Sequence, residues 1–448
     1  MPVQAGNVDK NGVLWNGNQE VGTFSGPHKG CSNLYETLVK SVAENGSKEA
    51  AGIRTIVETR KVGGFEKYRM SRDFQYLTYT EYLKEVDNLG SGLVQAVPSL
   101  EPNDTVVIYA ETSRPWMISA YACWRQGLVV GTIYATLGEE GALFGINQSR
   151  CKVVIADAKL LKVLVKIAGQ LKHLKDVITI TEPSAEAVES LKKVGMNIHV
   201  MEGADGVIAR GAKTPAEATP AKATPARDGK DTAVLMYTSG TTGNPKGVLI
   251  SHYSILCNLT ATLSPKSAIA LDGRPFLRGD STYLAYLPLA HIMELAVEVT
   301  CFAVGCKIGY GSPGTITAAS IKMLQEDQAG NKITQLGDAA LLGPTLFVAA
   351  PAVLDKVLVG IKNKFAALPS FIQKLCIEAA IENGKQNYDK GGVGCHGSYF
   401  ISNLIFKKAQ KLLGGKVGAT PGPQPQPWHP RPEARPFTPE SLTPRRSR

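Results

Sequence analysis

At 448 residues the chain is long enough for two or three packed units and a large core. Its 44% hydrophobic and 20% charged residues are those of an ordinary globular protein. The net charge of +10 suits anionic lipid headgroups, nucleotides or nucleic acid, and Arg431, Arg435, Arg445, Arg446 and Arg448 place part of it at the C-terminus. No aromatic-interleaved basic patch and no zinc-finger spacing supports nucleic acid, so no nucleic-acid partner is expected.

Eight cysteines occur without a Cys-x-x-Cys pair, and the Cys301/Cys306 spacing fits no common zinc site. Buried free thiols in a reducing compartment are expected, which argues for the cytosolic side of any membrane. Residues 1–30 are polar and Gly-rich and lack the apolar core of a signal peptide. No window offers roughly 18 uninterrupted apolar residues. The strongest candidate, residues 285–305, carries His291, Glu294 and Glu298, each costly at a bilayer centre.

In chain order, residues 1–60 read as a polar lead and 61–202 as a first α/β subdomain. A helix over 80–96 places Leu83, Val86, Leu89, Leu93 and Ala96 at three- and four-residue spacing. Residues 106–110 read as a strand, and Ser113 as the cap of a helix carrying Trp116, Ala120 and Trp124 at core spacing. Strands follow at 128–134 and 153–156, then a helix with Leu160, Leu161, Leu164, Ile167, Ala168 and Leu171 on one face. A strand at 177–181, a helix around 188–194 and a strand at 198–201 complete the run. Such alternation implies βαβ units and a parallel sheet, whose ligands bind beyond the strand carboxyl ends.

Residues 203–230 repeat Thr-Pro at Thr214-Pro215, Thr219-Pro220 and Thr224-Pro225, and read as an exposed linker. The α/β pattern resumes over 231–416, ending in a helix-rich stretch at 361–413. Residues 417–448 form a Pro- and Arg-rich tail expected to be disordered. Its Pro423–Pro430 segment also suits an SH3- or WW-type groove.

The densest chemistry lies between a strand at 233–237 and an apolar stretch at 248–250 that leads to a helix capped by Ser251. Gly240, Gly243 and Gly247 let successive N–H groups converge on one anion. Thr238, Ser239, Thr241 and Thr242 add hydroxyls, and Lys246 adds a charge suited to phosphate oxygens. Such a loop is built for a polyphosphate. It is not a Walker A loop, because Pro245 precedes the Lys and Gly247 follows it.

Tyr237-Thr-Ser-Gly-Thr-Thr-Gly-Asn-Pro-Lys-Gly-Val248 resembles the signature loop of the AMP-forming acyl-adenylating enzymes, which grips the β- and γ-phosphates of ATP. Tyr286-Leu-Pro-Leu-Ala-His-Ile-Met-Glu-Leu295 resembles the family's second motif, whose His lies near acyl substrate and nucleotide. Segments 132–140, 307–313 and 346–355 are similar to the long-chain acyl-CoA synthetases in the same order. The resemblance implies an α/β fold: an AMP-binding, acyl-adenylate-forming large N-terminal domain built on parallel sheets with flanking helices, the small C-terminal domain being absent.

It also implies ATP, Mg²⁺, coenzyme A and a long-chain fatty acid as ligands, with peripheral contact at the endoplasmic reticulum or another organelle membrane. Thr238, Ser239, Gly240, Thr241, Thr242, Gly243 and Lys246 become nucleotide-binding residues, and Lys246 and His291 catalytic ones. His291, Tyr310 and Gly311 become substrate-binding, with two alternatives open: a buried His291 bonded to a backbone carbonyl, and Tyr310 as plain packing. Glu294 reads as the solvent-facing neighbour or partner of His291. No counterpart of the family's Mg²⁺-binding Tyr-Gly-x-Thr-Glu segment, ribose-binding Thr-Gly-Asp segment or C-terminal Lys is found; Leu336-Gly-Asp338 and Arg278-Gly-Asp280 have the wrong order and flanks. Impaired turnover is therefore expected, with a non-catalytic nucleotide- or fatty-acid-binding form, or another acyl-adenylating ligase, as the alternatives.

Overall fold

Side-chain caps open six of the ten α-helices in the computed structural model, which describes residues 28–214, 231–238, 245–264, 275, 277–349 and 370. All of these except Ser370 fall in one of the two units into which the chain divides. Asn33 accepts from the Glu36 N–H to open α1 (Leu34–Asn45), which leads into β1 (Glu49–Ile53). The strands β2 (Ile56–Val62) and β3 (Phe65–Met70) form a separate hairpin before β4 (Gln75–Thr78). Thr78 and Glu81 close a reciprocal capping box on α2 (Tyr79–Ala96).

The alternating region follows the apolar runs closely. It comprises β5 (Thr105–Tyr109), α3 (Arg114–Arg125), β6 (Val129–Thr132), α4 (Glu139–Ser149) and β7 (Val153–Ala156). Next come α5 (Leu161–Ile167), β8 (Asp176–Thr179), α6 (Ala185–Lys193), β9 (Asn197–Val200) and α7 (Val207–Ala212). Ser113 caps α3 as its sequence predicts. The second half supplies β10 (Thr232–Thr238), β11 (Lys246–Ser251) and α8 (His252–Leu263), the last capped by Ser251. Then follow β12 (Thr282–Ala285), α9 (Ile292–Val304), β13 (Lys307–Tyr310) and α10 (Asp338–Leu342).

Seven strands make one sheet in the order β11-β10-β6-β5-β7-β8-β9, parallel except for β11. Four make a second, β12-β13-β1-β4, in which only β4 runs antiparallel to its neighbour. Val106 and Ile108 face a core shared by both sheets with α1, α2, α3, α8 and α9. Val107 and Tyr109 face a second core under α4, α5 and α6. Burial on both faces explains the unbroken Val/Ile runs of these strands. Trp116 and Trp124 are fully buried, and the Trp124 indole N–H donates to the Ala233 carbonyl of β10 at 3.0 Å.

Two expectations are corrected. Part of the supposed lead is structural: β1 is an inner strand between β13 and β4, although Ala50-Ala51-Gly52 has little apolar signal of its own. The supposed linker begins too early, because α7 packs against α2 through glycines. A Cβ on Gly211 would stand 1.8 Å from the Asn88 carbonyl oxygen, and one on Gly92 would stand 1.9 Å from that of Val207. The rest of the linker, the helix-rich stretch, the end of the sheet near residue 417 and the tail lie outside the described residues. Among the described residues no helix is long and apolar enough to cross a membrane, and α9, the centre of the strongest candidate, has 13 residues. The described cysteines are free thiols, and Cys31, Cys123, Cys151, Cys301 and Cys306 are buried.

The α2–α7 contact yields a first prediction. Gly211→Ala should destabilise the fold by about 1–3 kcal/mol through overpacking, read as a lower urea midpoint. An unchanged midpoint would show that the helices do not approach this closely.

Candidate functional site: a cleft where two sheets meet

Four parallel strands end at one place. The loops after β5 and β6 in the large sheet, and after β12 and β13 in the small one, line a cleft of about 220 Å³. Residues 110–112, 134–136, 286–290 and 311–313 form its walls, with Lys322 at the side. Thr112 ties the sheets together across it. Its hydroxyl donates to the Leu287 carbonyl at 2.5 Å and accepts the Leu289 N–H at 2.8 Å. The walls are mainly apolar, with Thr112, Thr136, Ser312, Glu111 and Lys322 as the polar exceptions. Apolar walls with a few converging polar groups suit a small organic ligand.

Behind the cleft the small sheet is held by two buried carboxyls on α9. Tyr283 of β12 donates to Glu294 Oε2 at 2.6 Å, and Tyr310 of β13 donates to Glu298 Oε2 at 2.5 Å. Both glutamates are fully buried. Burial raises both carboxyls above the usual range, Glu294 to about 8 despite the stabilising Tyr283 bond, and Glu298 well above it by burial and by the Glu294 charge facing it. Glu294 is therefore not solvent-facing. The i, i+4 spacing puts both carboxyls on one face, and that face points inward.

A second buried group braces the floor. Arg54 Nη1 lies 2.9 Å from Asp338 Oδ1, both side chains almost wholly buried, and the Thr315 hydroxyl donates to the other Asp338 oxygen. Burial raises the Asp338 carboxyl, with the Thr315 and Arg54 bonds opposing it. Gly311 passes against this aspartate, since a Cβ there would stand 2.6 Å from Asp338 Oδ2. Asp338 is thus a buried bracing group.

The site residues expected from sequence distribute as follows. Thr238 and Lys246 are register partners at the open end of the β10–β11 hairpin, and the Thr238 hydroxyl donates to the Lys246 carbonyl at 3.4 Å. Met236 of β10 is level with Thr132 of β6, so the chain leaves β10 at the edge where residues 134–136 enter the cleft wall. Ser239, Gly240, Thr241, Thr242 and Gly243 lie outside the described residues. His291 is exposed at the N-cap of α9, where its Nδ1 accepts the Met293 N–H at 3.1 Å. That geometry removes the buried-His alternative and sets the ring directly after the wall residue Ala290. Gly311 lines the cleft, whereas the Tyr310 ring turns inward to Glu298.

Comparison with known proteins places this arrangement. The family model described as AMP-binding enzyme matches residues 59–385. The chain belongs to the AMP-binding enzyme family. It is 32% identical over 398 residues to long chain acyl-CoA synthetase 8 of Arabidopsis thaliana, covering 87% of this chain and 52% of that protein. It is 27% identical over 407 residues to long-chain-fatty-acid–CoA ligase 2 of Schizosaccharomyces pombe, covering 87% and 54% respectively. The chain thus spans about half the length of the curated relatives it matches. In fold it resembles the A domain of a carboxylic acid reductase from Segniliparus rugosus, solved with AMP and a co-purified carboxylic acid (TM-score 0.61, 18% identity, 87% of this chain, 56% of that one).

Three of the sequence segments that carry the family resemblance, around Tyr134, Tyr286 and Gly311, wall one cleft. Thr112, Glu298, Tyr283 and Lys322 escaped sequence reasoning. Only Glu298 left a trace there, as a second acid four residues along an otherwise apolar helix.

The buried pair makes stability pH-dependent. Both folded-state pKa values lie above the ordinary glutamate value of 4.5, so the unfolded chain ionises first. Stability is then highest below about pH 4.5 from these groups and falls as pH rises toward 8, by on the order of a few kcal/mol. Glu294→Gln and Glu298→Gln keep an acceptor for each tyrosine without the charge, and should flatten that decline in urea titrations at pH 5 to 8. A wild-type profile no steeper than the variants' would contradict the assignment.

Proposed function

We propose that this chain is the nucleotide- and acyl-binding body of a long-chain fatty-acid–CoA ligase that forms acyl-CoA through an acyl-adenylate. The observation that carries the reading is that Thr238 and Lys246, which flank the hydroxyl- and glycine-rich segment, stand at the same edge of the sheet as the cleft. The names of the curated relatives support the long-chain substrate. ATP, the fatty acid and coenzyme A would be the ligands. The fatty acid needs no general base, because a carboxylate is already ionised at neutral pH. The barrier comes from bringing two anions together, so the work left to the protein is positioning and charge stabilisation.

Each part has a role in this reading. Loop amides and Lys246 hold the terminal phosphates of ATP. Thr136 and Ser312 offer hydrogen bonds to polar ligand atoms, while Ala135, Leu287 and Pro288 exclude water from the reacting carboxylate. His291, at the mouth of α9, orients the acyl–nucleotide junction. A cleft of about 220 Å³ is below the roughly 300 Å³ of the smallest usual ligand pockets, so it takes the junction and not a whole long chain. Among the described residues no cluster of three or more metal-ligating side chains exists. Mg²⁺ would enter with ATP and neutralise phosphate charge.

Calorimetry separates the two halves of the site. Lys246→Ala should weaken ATP binding by about tenfold or more, the worth of a lost charge-assisted bond. It should leave a palmitoyl-sulfamoyl adenosine, which has no β- or γ-phosphate, nearly unaffected. Ala135→Trp, which fills the cleft, should do the reverse. ATP affinity indifferent to Lys246, or an analogue indifferent to Ala135, would overturn the proposal; preference for a benzoyl analogue over the palmitoyl one would overturn the long-chain substrate.

A further inference from the structure

We propose that the β2–β3 hairpin is an interfacial anchor that inserts its tip into an anionic phospholipid bilayer. The hairpin forms its own two-stranded sheet, and β3 fastens it to the body through Tyr68. The Tyr68 N–H donates to the Lys322 carbonyl at 2.6 Å, and its carbonyl accepts the Leu324 N–H at 3.0 Å. Gly63 and Gly64 make the turn with φ of +59° and +82°, the positive values a tight two-residue hairpin loop needs. A Cβ at either would meet nothing within 4 Å, so the tip stands clear of the rest of the described protein.

That tip is apolar where solvent alone would favour polar residues. Val62 and Phe65 are cross-strand partners and are 44% and 59% exposed. Because strand side chains alternate, the next pair on the same face is Arg60 and Lys67. Two residues of antiparallel strand separate the pairs by about 7 Å. Arg60 is held by Glu58 at 2.7 Å and by the Glu326 carbonyl at 2.7 Å, so Lys67 is the cation this face offers. Interfacial protein segments bury their apolar face about 5–10 Å into the headgroup boundary, so a cation placed this far back meets the lipid phosphates. Over residues 56–72 Glu58 pairs with Arg60 at 2.7 Å and Arg69 at 3.3 Å, and the remaining cations Lys61, Lys67 and Arg72 outnumber Glu66. Apolar tip and basic shoulder together match an anionic bilayer better than a protein groove, which would leave the shoulder charges to be paired one by one.

The test is co-sedimentation of the full chain with vesicles of phosphatidylcholine containing or lacking phosphatidylserine. Binding should require the anionic lipid. Val62→Ser/Phe65→Ser should lower the partition coefficient by about tenfold or more, and Lys67→Glu by a similar factor, in line with the worth of buried apolar surface and of each surface cation. Far-UV circular dichroism and ATP affinity should stay unchanged in both variants, because the hairpin lies outside the cleft and the phosphate loop. Three results would overturn the proposal: equal binding to uncharged vesicles, undiminished binding by the tip variant, as when the C-terminal arginines alone carry it, or a tip variant that dissociates a dimer without affecting lipid.

Discussion

Two tyrosine hydroxyls held on carboxyls inside the core govern the geometry of the small sheet. Tyr283 and Tyr310 sit on adjacent parallel strands, and α9 carries Glu294 and Glu298 one turn apart to receive them. Burying a carboxylate is expensive unless it is paired, so protonation and short hydrogen bonds together make the arrangement tolerable. The result is directional in a way that apolar packing is not. Each strand end has one position that satisfies its tyrosine, and the loops that follow inherit that position.

The cleft depends on this fixing because it belongs to neither sheet alone. Its walls come from strand ends in both, and Thr112 bridges them by donating to one wall carbonyl and accepting one wall N–H. Arg54, Asp338 and Thr315 restrain the loop after β13 from below. The stacked Tyr82–Phe302 pair, with Tyr121 edge-on to Phe302, fills the shared core between α2, α3 and α9. A site assembled from separate layers is held open by the rigidity of what lies behind it, and here that backing is polar at the centre and aromatic around it.

Much of the large sheet was legible in sequence because its central strands are buried on both faces and α3, α6 and α8 begin at Ser caps. Those signals are local. The small sheet was less legible, since β1 is short, alanine-rich and stabilised by neighbours far away in sequence. Gly52 illustrates the point: a Cβ there would stand 2.4 Å from the Tyr76 ring. The helix α7 was hidden for the same reason, because glycine-to-backbone approach leaves no apolar stripe. Motif resemblance found three of the cleft walls but not Thr112, an ordinary threonine until the second sheet is beside it. Glu294 was misjudged because charge suggests solvent, and only the tertiary position of Tyr283 and Tyr310 shows otherwise.

The most direct test of the whole picture is amide hydrogen exchange with and without palmitoyl-sulfamoyl adenosine. Protection should rise together in the four loop segments 110–112, 134–136, 286–290 and 311–313, drawn from both sheets. Protection confined to one sheet, or appearing only away from these loops, would contradict a binding cleft built where the two sheets meet.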